Sequence, residues 1–170
     1  VKYLNHASVG NNIEFTGTLT DISKGGDTIE NQLTTFTALD SALKLALNYA
    51  FVQVGINSLS NISAAYVSYQ NLINKIRIDS PNALIICGTM SPCRAFLGEP
   101  GYVSWVALNE AIKGNGANAI TGIDRVANSH ILQLGDENNN LLALYDVFGD
   151  HLHIDWRGKK LIAQSWIASI

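Results

Sequence analysis

The 170-residue chain is sparing with the residues that mark many specialised proteins. It has two cysteines, Cys87 and Cys93, in ICGTMSPC, with no histidine or further cysteine at metal-ligand spacing. They read as ordinary thiols, with a local disulfide as the alternative, and they leave the compartment open. Only 15% of residues are charged and the net charge is −3, so there is no basic surface to neutralise a phosphate backbone and nucleic acid is not expected as a partner. Long apolar runs are missing too: ALKLALNYAFVQVG is interrupted by Lys44, Asn48 and Gln53, which excludes a membrane span and makes a soluble domain the expectation. Internal repeats, low-complexity segments, an evident linker and a charged leader are all absent. The sequence enters a strand-like VKYLN at Val1, which reads as a cut edge.

What is present is apolar material, 47% of the chain, enough for one domain over residues 1–170 with a real core. The stretch NHASVGNNIEFTGTLTDISKGG carries little helical periodicity. From Asp27 onward Ile29, Leu33 and Phe36 fall four and three apart, with Asp27 or Thr28 as N-cap, so a helix is expected there, running on towards Leu47. AFVQVG at 50–55 and ALIICG at 83–88 have the form of buried parallel strands. Between them Ile62, Ala65, Tyr66, Tyr69, Leu72, Ile73 and Ile76 repeat at helical spacing, and Pro81 marks the far side. Trp105, Leu108 and Ile112 define a further helix face ending near GNGAN. GIDRVA at 122–127 and LLALYDVF at 141–148 are two more expected strands. A last helix begins about Asp155, with Ile162, Trp166 and Ile170 spaced by four. Such alternation predicts an α/β fold, a central parallel sheet covered on both faces as three α/β/α layers, with chemistry beyond the carboxyl ends of the strands.

Histidines and aspartates crowd into DHLHID, 150–155. Asp150 and His153 lie three apart, where a carboxylate can hold one imidazole nitrogen and leave the other as a general base; a solvated loop with incidental histidines is the plainer alternative. His151, Asp155 and His153 could be drawn as metal ligands, but no H-E-x-x-H or comparable frame supplies the rest, so no metal is expected. Asn57, after Gly55 at the end of AFVQV, could donate to an oxyanion, and Gly55 would let a substrate approach the backbone. Gly26, in KGGDTIENQL, could offer a second donor where a glycine turn feeds a helix N-terminus. Both glycine segments are also ordinary turn sequences. His6 reads as a local hydrogen-bonding residue. Trp105, Trp156 and Trp166 read as core, with Trp156 alternatively flooring a pocket beside the base.

The order of these pieces resembles the SGNH, or GDSL-type, serine hydrolases: the glycine turn GGDT, a strand ending in GIN, a strand followed by TMSP, then D-x-L-H and a terminal helix. The resemblance spans about residues 24–170 and is strongest in VQVGINS and DHLHIDWRGKKLIA. It implies a flavodoxin-like sheet, Asp150 and His153 as triad acid and base, and Asn57 with a glycine N–H, Gly26 or its rival Gly10, as oxyanion hole. Two departures stand out. Ser58 replaces the aspartate that many members have after the asparagine. The G-D-S block that carries the nucleophile is missing, and no G-x-S-x-G replaces it. Ser8, in LNHASVGNN, is the nearest substitute. Yet the segment from Ser8 to Gly26 lacks the helical crossover that parallel neighbours need, so VKYLN reads better as the family's second strand, with the first strand and nucleophile ahead of Val1. Three alternatives stay open: Ser8, an upstream serine, or no nucleophile.

The function implied is ester hydrolysis without cofactor, removing a small acyl group, acetyl foremost, from a carbohydrate. The alternative is a catalytically silent module binding a glycan or joining an assembly. ILQLGDENNNLLALYDVFGDHLH also resembles hydrolase modules of phage tail fibres and spikes. That likeness implies an extracellular or virion-tail setting within a longer polypeptide or homo-oligomeric assembly.

Overall fold

The structure is a computed structural model and describes residues 19–146 and 148–170. The expectations for Val1–Leu4, His6, Ser8 and Gly10 fall outside those residues. The described residues divide into two compact units, one of Ile22–Met90 with Val103–Val126, the other of Ser91–Tyr102 and Ala127–Ile170 with residues 19–21.

In the first unit, helix α1 (Ile29–Ala38) starts at Thr28, whose hydroxyl accepts the Asn31 N–H at 3.3 Å. The helical run expected to reach Leu47 breaks at Leu39, where ψ is 150°. The cause is Asp40: its carboxylate caps a new short helix, α2 (Ser41–Leu45), by accepting the Ala42 and Leu43 amides at 2.9 and 3.1 Å. An aspartate that can bond its own downstream amides competes with helix continuation. Lys44 turns inward, donates to the Thr37 carbonyl at 3.1 Å and pairs with Asp79 at 2.9 Å, so a buried charge is matched by a carboxylate.

Strand β1 (Tyr49–Val52) pairs in parallel with β2 (Leu84–Gly88), Tyr49 opposite Leu84 and Val52 opposite Cys87, and β3 (Arg125–Ala127) follows in the order β1-β2-β3. Ile85, Ile86 and Cys87 of the central strand have no exposure, as a strand covered on both faces requires. A 3-10 turn, Ile56–Asn61, leads to α3 (Ile62–Asp79). Asn61 accepts the Ala64 amide at 3.1 Å to cap α3, and Ala65, Tyr69, Leu72, Ile73 and Ile76 form its buried stripe, while Ile62 and Tyr66 stand half-buried at the flank. Helix α4 (Arg94–Ile112) begins well before its expected apolar face, kinks at Gly98, where φ is 64°, and buries Trp105, Leu108 and Ile112 in its second half.

In the second unit a 3-10 turn, Ile131–Leu134, packs against α5 (Trp156–Ile167). The buried Ser165 hydroxyl accepts the His130 and Ile131 amides at 2.7 and 3.1 Å, which joins the two elements. Trp166 is 8% exposed and Trp105, in the other unit, 5%, but Trp156 is 67% exposed, so the reading of all three as core is corrected for Trp156. The strand expected at 141–148 is corrected as well. Leu141 and Asp146 make only isolated antiparallel bridges, to Gly135 and Ile154, and the Tyr145 amide turns back to the Leu142 carbonyl at 2.8 Å. Leu144 and Phe148 are 55% and 74% exposed, so the run has no two-sided burial to stabilise a strand. The described residues thus form a mixed α/β structure with parallel strands in a three-stranded sheet.

Candidate active site

The DHLHID stretch forms the tip of a closed loop in the second unit. Its base is tied by the Asp146–Ile154 bridge and by the Asp155 amide donating to the Tyr145 carbonyl at 2.9 Å. Arg157 reinforces it, with Nη2 on the Leu144 carbonyl at 2.7 Å and Nε on Asp155 Oδ2 at 2.6 Å. Asp155 is the N-cap of α5, taking the Gly158 amide at 2.9 Å. Desolvation works against its charge, but the Gly158 amide and Arg157 outweigh that and hold the carboxyl below the ordinary carboxylate value. The aspartate drawn as a possible metal ligand is therefore occupied as a helix cap.

At the tip, Asp150 and His153 meet. Asp150 Oδ2 lies 2.5 Å from His153 Nδ1, and Oδ1 accepts the His153 and Leu152 amides at 2.8 and 3.0 Å. The His153 amide, the His153 ring and the Leu152 amide, in that order of influence, lower the Asp150 carboxyl to about 2. An ionised carboxylate can only accept, so the shared proton sits on Nδ1 and His153 presents Nε2 as the basic nitrogen. The His153 side chain is 66% exposed, within reach of a reactant. Beside it the exposed Phe148 ring stands edge-on, with centroids 6.2 Å apart.

A second carboxylate–imidazole pair, which the sequence reading missed, lies behind the first. The Asp146 side chain is 4% exposed; Oδ2 lies 3.0 Å from His151 Nδ1, and the carboxylate accepts the Asp150 and His151 amides, each at 3.1 Å. His151 has a φ of 60°, in the left-handed region that a side chain rarely adopts. The available signal is the spacing D-x-x-x-x-H in DVFGDH, obscured because the apolar residues around Asp146 give LLALYDVF the pattern of a strand. The two histidines therefore serve separate carboxylates. Among the described residues no group of three or more histidine, cysteine, aspartate or glutamate side chains is placed to hold a metal ion.

Asn57 and Gly26 belong to the other unit, and the structure brings their segments together. Gly26 has a φ of 85° in the turn closed by the Asp27 amide on the Lys24 carbonyl, a conformation suited to glycine. The exposed Asn57 amide donates to the Asp27 carbonyl at 3.2 Å, and Ser58 Oγ accepts the Ile29 amide at 3.0 Å. Adjacent residues thus tether the end of the β1 segment to the start of α1. Ser58 does there what an aspartate could also do, satisfying an N-terminal helix amide. Gly55 is not an open approach for a substrate: it is buried, with φ 141°, and an added Cβ would lie 2.9 Å from Leu108 Cδ2 and 3.1 Å from Met90 Sδ. Its backbone is approached by the core.

Compared with known proteins, the chain matches no family model and no curated protein.

Proposed function

We propose that the chain is a serine ester hydrolase of the SGNH type, built as a three-layer α/β/α fold, which removes small acyl groups, acetyl foremost, from a carbohydrate. The observation that carries this reading is the Asp150–His153 pair. A carboxylate fixed by two backbone amides holds Nδ1 of an exposed imidazole at 2.5 Å and turns Nε2 outward as a base.

In this mechanism the serine hydroxyl attacks the ester carbonyl while His153 Nε2 takes its proton. The resulting imidazolium is stabilised by Asp150, which stays ionised. His153 then returns the proton to the departing alcohol, leaving an acyl-serine; water repeats the sequence and releases the acid. Asn57 Nδ2 and a glycine N–H, from Gly26 or Gly10, receive the oxyanion. The nucleophile in this reading is Ser8 or a serine encoded ahead of Val1. Neither metal nor organic cofactor enters a step.

Fluorophosphonate labelling of the natural full-length product, with peptide mapping, tests the reading. A single labelled serine, whose labelling is lost in His153→Ala, is expected. A label on Ser8 makes it the nucleophile, and a label upstream assigns that role there. Folded protein that takes no label sinks the hydrolase reading.

A further inference from the structure

We infer that Asp146 is a positioning residue for the Asp150–His153 pair; the inference rests on the reading of His153 as the general base. Its first support is burial. A carboxylate whose side chain is 4% exposed, in a loop whose tip is open to solvent, must be satisfied by hydrogen bonds or become costly. Asp146 satisfies itself on the loop: Oδ1 takes the Asp150 amide, and Oδ2 takes the His151 amide and His151 Nδ1.

The second support is what those bonds fix. The Asp150 amide belongs to the residue whose carboxylate holds His153, and the His151 amide belongs to the next residue, bent into φ 60°. Anchoring two consecutive amides fixes the peptide planes on either side of the Asp150 Cα, and with them the direction in which the Asp150 side chain leaves the backbone. Asp150 then repeats the device one step further on, taking the Leu152 and His153 amides before it meets the ring. The loop is a relay of two carboxylates: the buried one orients the backbone and the exposed one orients the imidazole. Among the described residues nothing else supplies an acceptor to the Asp150 and His151 amides. A left-handed non-glycine residue persists only where its surroundings over-determine it, and the Asp146 bonds are that constraint.

The relay separates the two contacts of Asp146. The amide bonds carry the positioning, and the ion pair with the His151 ring is dispensable to it. His151→Gly, which relieves the φ of 60° and deletes the ring, therefore leaves His153 in place, whereas Asp146→Ala does not.

The test is NMR of the full chain with nitrogen-15-labelled histidine, in which the His153 Nδ1 proton is assigned by its loss in His153→Ala. In the wild type this proton is hydrogen-bonded and protected from exchange. Asp146→Ala is expected to speed its exchange about tenfold or more, the scale of one lost hydrogen bond, and His151→Gly to leave it unchanged. If Asp146→Ala does not fold, Asp146→Asn keeps the buried volume but sets a donor against His151. It is expected to shift His151 to the Nε2–H tautomer and to speed exchange at His153. No change at His153 in either Asp146 variant, or equal loss in His151→Gly, overturns the inference. Where hydrolysis is measurable, Asp146→Ala lowers kcat with KM retained; a KM effect alone speaks against positioning. A protected His153 proton that responds to Asp146 in a protein that takes no fluorophosphonate supports the relay while removing the hydrolase reading, so the two fail separately.

Discussion

Asp150 accepts the Leu152 and His153 amides and the His153 ring, and its acidity follows from those three donors. The carboxyl carbon of Asp150 should titrate in carbon-13 NMR with a midpoint of about 2, below the ordinary 3.8. The sign is that of a depressed acid: the stabilisation of the loop by this charge is complete above 3.8 and is lost as the pH falls through about 2. An activity loss at milder acidity would therefore not come from Asp150. Asp150→Asn offers an amide in place of an acceptor and inverts the imidazole tautomer, so kcat is expected to fall by about 10³–10⁴-fold in ester hydrolysis assays, with the fold intact by circular dichroism. The sequence showed this pair through its three-residue spacing. It did not show Asp146, because a carboxylate five residues from its imidazole is paired only once the backbone turns back at Gly149 and His151, where φ is 66° and 60°.

At the scale of elements, the side chains that end and begin segments decide more than hydrophobic periodicity does. Thr28, Asp40, Asn61 and Asp155 each accept amides from the first turn of the helix they precede. Asp40 broke a helix that periodicity alone would have continued. Ser58 adds a tether from outside α1, and Ser58→Ala should cost about 1 kcal/mol in urea unfolding, whereas Ser58→Asp should retain that stability because a carboxylate can accept the same amide. A mutant as stable as wild type would leave the Ile29 bond without energetic weight. Gly55→Ala should be more damaging, at least about 2 kcal/mol, since it combines a φ of 141° with a methyl pressed on Leu108 and Met90. The 141–148 run shows the opposite error. Apolar composition suggested a strand, but Leu144 and Phe148 face solvent and the backbone bonds locally.

At the scale of the whole molecule, each unit buries one thiol, Cys87 in the sheet unit and Cys93 in the other. Burial raises both to about 12, so neither is a thiolate at neutral pH. Iodoacetamide should modify neither in the native protein. Under mild denaturant Cys93, in the segment leading into α4, should react before Cys87, which lies in the central strand; mass spectrometry of the labelled peptides reads the order. Modification of Cys87 first would mean that the sheet is the less stable region. Among the described residues no helix is long and apolar enough to cross a membrane. The sequence by itself determined the helix stripe of α3, the apolar strands β1 and β2, the start of the last helix at about Asp155 and the Asp150–His153 contact, because each depends on residues a few positions apart and on local hydrogen bonding or periodicity. Only the tertiary structure decided that Trp156 is exposed, that Gly55 is filled by the core and that Asn57 meets the Gly26 turn. It alone decided, too, that Asp146 is buried beneath the loop it holds. Those outcomes depend on which distant groups compete for the same volume and the same amides, and a linear pattern carries no record of that competition.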